Sequence, residues 1–295
     1  MSAACICCGG AEHEDYLRGL RRCTGCTHVW ADLRLTDDEL RALYSENYFL
    51  GEEYLDYEKE APALRKNFRL RLRELALRAP GGSLWEIGAA YGHFLKEAGQ
   101  RYTAAGCDIS EHAAARARED LGQNVVCGDY LALDVPENQD VVCLWDTVEH
   151  LAAPERYLAR AAEQLKPGGV LALSTGDIGA WMARFRGEQW RLIHPPTHLH
   201  YFSARSMRTL LARLGFVYIE IHYHAFWRSA DAVAFRLLAH PPEKWSAGLY
   251  RGLSRAGLLN FSFPMNTFDL MTIYGRRPLD SESRLDEHHE PVGTN

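Results

Sequence analysis

A chain of 295 residues with 47% hydrophobic and 24% charged residues and a net charge of −6 can bury a full α/β core and still carry a smaller appendage. The acidic balance lacks the basic surface of a nucleic-acid binder, and no apolar run reaches the length of a membrane span. The start Met1-Ser2-Ala3-Ala4-Cys5 has neither the charged nor the apolar region of a secretory signal, so a cytoplasmic protein is expected, whose cysteines serve as metal ligands or core residues.

In chain order, the first signal is two matched pairs, Cys5-x2-Cys8 and Cys23-x2-Cys26, each on a short turn. Four thiolates on two such turns converge tetrahedrally on zinc, and a segment this short has little core to hold it otherwise. Residues 1–35 therefore read as a zinc-binding module with Cys5, Cys8, Cys23 and Cys26 as ligands of a closed, structural ion. Cys7 is the extra thiol, and His13 and His28 are substitute ligands. Cys107, Cys127 and Cys143 fall in predicted strands and read as packing residues.

Residues 36–80 read as a helical linker or lid. Thr36-Asp37-Asp38-Glu39 is a capping box opening a short helix, and an aromatic stretch through Tyr44, Tyr48 and Phe49 follows. A longer helix is predicted over about 61–78, ended by Pro80-Gly81-Gly82, with Leu64, Phe68, Leu72 and Leu75 on one face. Arg65, Arg69, Arg71 and Arg73 lie largely on the other face and read as a solvated surface, with phosphate or acidic-substrate binding as the alternative. With the zinc module, this segment is expected to cover the acceptor pocket.

From residue 81 to 278, strand and helix signals alternate as an α/β, doubly wound, Rossmann-like seven-stranded sheet requires. Strands are predicted at 83–88, 103–108, 124–127, 140–145, 169–175, 216–224 and 268–276, and helices at 92–100, 111–120, 155–165 and 203–214. Residues 226–263 read as an apolar helical insertion that covers the substrate side or forms a homodimer contact. The polar tail 279–295 reads as disordered.

The first strand of that domain ends Trp85-Glu86-Ile87-Gly88-Ala89-Ala90-Tyr91-Gly92-His93, and Asp108 closes the second strand. Strand, glycine turn, helix and a terminal acid form a mononucleotide-binding start, with the acid placed to bond ribose hydroxyls. A dinucleotide turn needs glycine at 90 and glycine or alanine at 93, where Ala90 and His93 stand, and Glu86 repels a pyrophosphate. A carboxylate there suits a ligand with a cationic amino-acid end. The spacing E-x-G-x-x-x-G resembles motif I of class I S-adenosylmethionine-dependent methyltransferases, whose usual form has a further glycine at Ala90. The resemblance implies that Glu86, Gly88, Ala90 and Gly92 hold the methionine portion, Asp108 the ribose, Asp129 the adenine amine, and Tyr130 and Trp145 the purine ring.

Glu149-His150-Leu151 and Lys166-Pro167-Gly168-Gly169 resemble blocks of the small-molecule methyltransferases related to ubiquinone O-methylation, over about 83–222. A zinc module ahead of this fold resembles the deoxysugar C-methyltransferases, whose catalytic Tyr-His-Glu-His segment corresponds to the stretch 193–203 here. His198 matches the last histidine, whereas Thr197 replaces the glutamate and Pro196 the first histidine, so the match extends to the wider group only. Methyl transfer from a sulfonium needs alignment and exclusion of water, and a base only where the acceptor loses a proton. His198 and His150 are the candidate bases, with Tyr201, His194 and His200 as further candidates; Trp181, Trp190, Tyr44 and Tyr48 are candidates for the pocket wall. The expected function is methyl transfer from S-adenosylmethionine to oxygen or carbon of a small-molecule acceptor such as a sugar nucleotide, saccharide or secondary metabolite. The alternatives are a zinc-module RNA methyltransferase and a non-catalytic nucleotide-binding scaffold.

Overall fold

Short hairpin strands lead the chain in the computed structural model, which describes residues 4–17, 19–33, 57–239 and 245–280. Strands β1 (His13–Asp15), β2 (Leu20–Cys23) and β3 (Val29–Ala31) form an antiparallel meander around the cysteine turns. Helix α1 (Tyr57–Ala76) follows, four residues longer at its start than its apolar period predicts. The capping box at Thr36, the aromatics Tyr44, Tyr48 and Phe49, and the tail beyond 280 lie outside the described residues.

The main domain then runs β4 (Gly82–Ile87), α2 (His93–Ala98), β5 (Tyr102–Asp108), α3 (Glu111–Leu121), β6 (Val125–Cys127) and β7 (Gln139–Trp145). It continues through α4 (Pro154–Gln164), β8 (Leu165–Gly176), α5 (Trp181–Arg186), β9 (His200–Tyr201), α6 (Ala204–Arg213) and β10 (Val217–His222). The last elements are β11 (Phe226–Ser229), α7 (Ala230–Ala234), α8 (Ala247–Arg255), β12 (Ser262–Met265) and β13 (Leu270–Arg276).

Seven strands form the central sheet in the order β10-β13-β8-β7-β4-β5-β6. Strands β8, β7, β4, β5 and β6 run parallel, whereas β13 is antiparallel to β8 and β10. The apolar runs explain the two-sided cover. Leu84, Val141 and Cys143 pack with Phe68, Leu75 and Phe94 on one face, while Trp85, Val142 and Leu144 pack with Leu158, Met207 and Leu210 on the other. Alternate residues of each strand thus bury opposite faces, as a parallel sheet covered on both sides requires.

Two predicted elements differ. The Lys-Pro-Gly-Gly stretch does not end a helix before its strand but lies inside β8, where the register against β7 shifts between Gln139↔Leu165 and Val141↔Val170. Gly168 supplies the positive φ of 79° for this bulge, and Lys166 Nζ grips Asp140 at 2.8 Å. The 226–263 insertion is not wholly helical. Phe226-Trp227-Arg228-Ser229 pairs with residues 262–265 as a β-hairpin, as its aromatic composition favours, and the helices lie between the two strands.

The strand order reverses between β4 and β7, so a crevice opens at their carboxyl ends. No described helix is long and apolar enough to cross a membrane.

Candidate active site

The turn after β4 is built for close backbone approach. Gly88 has φ 76°, and a Cβ there would lie 2.6 Å from the Thr147 side chain, so glycine is required. Gly92 has φ 75° and opens α2. Ala90, standing where a third glycine is usual, also adopts positive φ, 47°, at a cost of about 1–2 kcal/mol. Its amide is held by donating to Asp108 Oδ2 at 2.8 Å, and Ser110 N donates to Oδ1 at 2.8 Å. Burial pushes the Asp108 carboxyl up, and those two amides pull it back toward the charged form. Each of its oxygens keeps a lone pair for a ribose hydroxyl.

Glu86 is 2% exposed, and its Oε2 has no hydrogen-bond partner among the described residues. Burial pushes its pKa well above the carboxylate range; Arg71 opposes this, and the Asp108 charge adds to it. Such a carboxylate fits a ligand that brings its own cation. Asp129 accepts from the Tyr157 hydroxyl at 2.6 Å and Leu131 N at 3.0 Å through Oδ1, which orients Oδ2 for a further donor. Tyr130 donates to Gln164 Oε1 and stacks on Tyr157 with ring centroids 6.0 Å apart, so its hydroxyl is committed to the core while the residue lines the crevice. Trp145 is held edge-on by Phe94 at 5.3 Å. All eight predicted cofactor residues except Gly92 line one cavity of about 810 Å³.

The same cavity is lined by Arg71, which the helical period assigns to solvent. It is buried instead, donating to Asp146 Oδ2 at 2.8 Å and Ser174 Oγ at 2.9 Å, with its guanidinium 4.8 Å from the Trp145 ring centroid. Burial works against the Asp146 charge, yet Arg71 holds that carboxyl below its usual range. Next to it stand His150 and His198, ring centroids 4.5 Å apart and nearly perpendicular. His150 Nδ1 donates to Thr197 O at 2.8 Å and His198 Nδ1 to Leu192 O at 2.9 Å. A ring nitrogen facing a carbonyl must carry the proton, so Nε2 is the basic nitrogen of each ring. Burial lowers His150 to about 4 and His198 well below its ordinary value, leaving both neutral near pH 7. One ligand atom from each and one Glu149 carboxylate oxygen lie within 4.8 Å of one another, spacing that suits one hydroxyl or one cation.

Tyr201, the third predicted catalytic residue, does not reach the cavity. It is buried and donates to His198 O at 3.0 Å, so it positions that loop. Trp190 lines the wall through its bond to Asp269 at 2.8 Å, whereas Trp181 is exposed outside it.

A family model described as a methyltransferase domain matches residues 57–221. The chain belongs to that family. A ubiquinone biosynthesis O-methyltransferase of Thiobacillus denitrificans is 33% identical over 180 residues, covering 56% of this chain and 77% of the relative. The same enzyme of Brucella ovis is 27% identical over 187 residues, covering 58% and 73%. Among solved structures, a methyltransferase of Thermotoga maritima described as a possible histamine N-methyltransferase aligns with TM-score 0.52 at 20% identity, over 75% of this chain and 94% of that one. One from Archaeoglobus fulgidus aligns with TM-score 0.52 at 19% identity, over 78% and 99%. This chain is therefore an S-adenosylmethionine-dependent methyltransferase, and the cradle of Glu86, Asp108 and Asp129 fits that cofactor.

Ahead of the methyltransferase domain, Cys5 and Cys26 sulfurs lie 3.5 Å apart, Cys8 and Cys23 sulfurs 3.5 Å apart, and all four within 4.8 Å. Tetrahedral zinc at about 2.3 Å from each sulfur sets them about 3.8 Å apart, so the four thiols fit that ion. Gly10 N donates to Cys8 Sγ at 3.4 Å, which supports a thiolate. Cys7 is fully buried in the main core, outside that foursome, and His28 stacks on His200 with ring centroids 5.3 Å apart.

The module does not cover the methyltransferase cavity, which no described residue of 4–33 lines. It is held elsewhere, because β3 pairs with β9 through Val29↔Tyr201 and Trp30↔His200. The walls come instead from α1 and the 226–265 hairpin. Arg71 and Tyr157 carried no sequence signal, since their roles arise from contacts distant in the chain. Glu149 was visible within the Glu-His-Leu block.

Proposed function

We propose that this methyltransferase methylates a hydroxyl oxygen of a small organic acceptor. The observation that carries the reading is the convergence of a ring nitrogen from each of two neutral imidazoles and a Glu149 carboxylate oxygen beside the strand ends. The names of the curated relatives support oxygen as the acceptor atom.

When bound, S-adenosylmethionine supplies an electrophilic methyl on a sulfonium. Glu86 holds the amino end of that ligand, Asp108 bonds the ribose hydroxyls, and Asp129 accepts from the adenine amine. His150 or His198 accepts the hydroxyl proton at Nε2 as the acceptor oxygen bonds to the methyl carbon and the carbon–sulfur pair leaves with sulfur. Phe226, Trp227 and α1 close the cavity against water, which would otherwise compete for the methyl group. Zinc in the four-cysteine site serves a structural role.

The test is a panel of catechols, phenols and sugar nucleotides incubated with methyl-labelled S-adenosylmethionine, with product analysis by mass spectrometry and NMR. Label in a methoxy group is expected, and His150→Gln with His198→Gln should slow turnover by about 10²-fold or more at nearly unchanged cofactor affinity. Label on carbon, or full turnover in the double variant, would contradict the reading.

A further inference from the structure

The cavity is lined by groups of both charges. The strand ends assigned to the cofactor contribute Glu86, Asp108 and Asp129, and Arg71, Arg186, Arg191, Arg228 and Arg236 contribute guanidinium groups. In a chain of net charge −6 this gathering of arginines on one cavity is not a reflection of composition.

Two of its arginines are already neutralised. Arg71 pairs with Asp146 at 2.8 Å, and Arg191 with Asp269 at 2.9 Å. Arg228 lies near enough to Asp146 to stabilise that carboxylate. Arg186, in the last turn of α5, and Arg236, in the helical turn Phe235–Ala239, line the same cavity and have no ion-pair partner among the described residues. Met182, Trp227, Val233 and Leu237 add apolar surface to the same cavity.

An uncompensated cation pair gives nothing to a sulfonium ligand, which it repels. It suits an anion, because a guanidinium fork bonds phosphate or carboxylate oxygens in pairs. Taking the cavity as the methyl-transfer site, we propose that the acceptor carries an anionic phosphate or carboxylate group on an apolar body, with Arg186 and Arg236 gripping the anion and the Met182–Trp227 surface holding the body.

The experiment is calorimetric titration of the full chain, saturated with S-adenosylhomocysteine, with phenyl phosphate, benzoate and phenol. The wild type is compared with the double variant Arg186→Ala, Arg236→Ala. Phenyl phosphate, benzoate or both should bind at least about tenfold more tightly than phenol, and whichever anion does so identifies the acceptor's charged group. The double variant should lose that preference to within about twofold, and added salt should narrow it in the wild type. Anions that bind no better than phenol or not at all, or a preference that survives the double substitution, would overturn the proposal. The cofactor-product titration is read separately: its failure would strike the methyltransferase reading of the cavity, and its success leaves the anion comparison decisive.

Discussion

Asp108 does two jobs that a single substitution separates. It fixes the Ala90 turn through one oxygen and caps the Ser110 amide through the other, and both oxygens retain acceptor capacity toward the cofactor. Asp108→Ala should weaken S-adenosylmethionine binding by about ten- to hundredfold, the worth of one or two charge-assisted hydrogen bonds, and Asp108→Asn by less, as calorimetry would read. Equal affinity in wild type and Asp108→Ala would remove this residue from the site. The histidines make a second prediction. His150 is lowered to about 4 and His198 well below its ordinary value, whereas an unfolded histidine titrates near 6.5. The unfolded chain therefore binds more protons below pH 6.5, so the contribution of these neutral imidazoles to stability is complete above that pH and is lost as pH falls toward 4. Thermal midpoints should be flat from pH 7.5 to 6.5 with respect to these groups and drop by roughly 5 °C or more by pH 4.5. The double variant His150→Gln, His198→Gln should show a shallower drop, and an equal drop would assign the acid sensitivity to other groups. At this scale the three acids that line the crevice were legible because each stands at or just beyond the carboxyl end of a strand. Arg71 was not, because an amphipathic period identifies the face away from the core without revealing that a cavity lies there.

At the scale of elements, the cysteine module acts as a brace rather than a lid. Its third strand extends through β9, Ala31 N donates to Leu199 O at 2.9 Å, and Leu199 N donates to Glu149 O at 2.9 Å. Thr27 and Ser203 hydroxyls meet at 2.7 Å, and Arg213 donates to Ile6 O at 2.6 Å. This chain of bonds joins the cysteine turns to the backbone that carries His150 and His198. Cys8→Ser, or treatment with a zinc chelator, should raise hydrogen exchange at Ala31 and Leu199 while the amides of β4 and β5 stay protected, with cofactor affinity kept within about threefold. Unchanged exchange at those two amides would show that the loop stands without the module. The inner strands of the main sheet were readable because two-sided burial demands continuous apolar runs, as in β7 and β8. Strand β9 was not readable, since two residues pair only because β3 arrives from far away in the chain. The β11–β12 hairpin was hidden by the apolar helices between its strands.

Across the whole molecule, topology places the chemistry. The reversal of strand order between β4 and β7 gathers Glu86, Asp108, Asp129 and Trp145 around one crevice, although they span much of the domain in sequence. Helix α1, the 182–198 segment and the region after β10 also line that crevice and supply its arginines. The family match ends at residue 221, whereas the hairpin beyond it adds cavity-lining residues that the match does not include. Substrate choice is therefore expected to reside in those additions, and chemistry in the shared strand ends. The most direct test of the account is a titration of the full chain with S-adenosylmethionine, repeated across pH for wild type and Glu86→Gln. One cofactor should bind per chain, displaced by S-adenosylhomocysteine and not by NAD, with affinity falling as lower pH protonates the buried Glu86 and with that dependence flattened in Glu86→Gln. Absence of binding, or displacement by NAD, would contradict it.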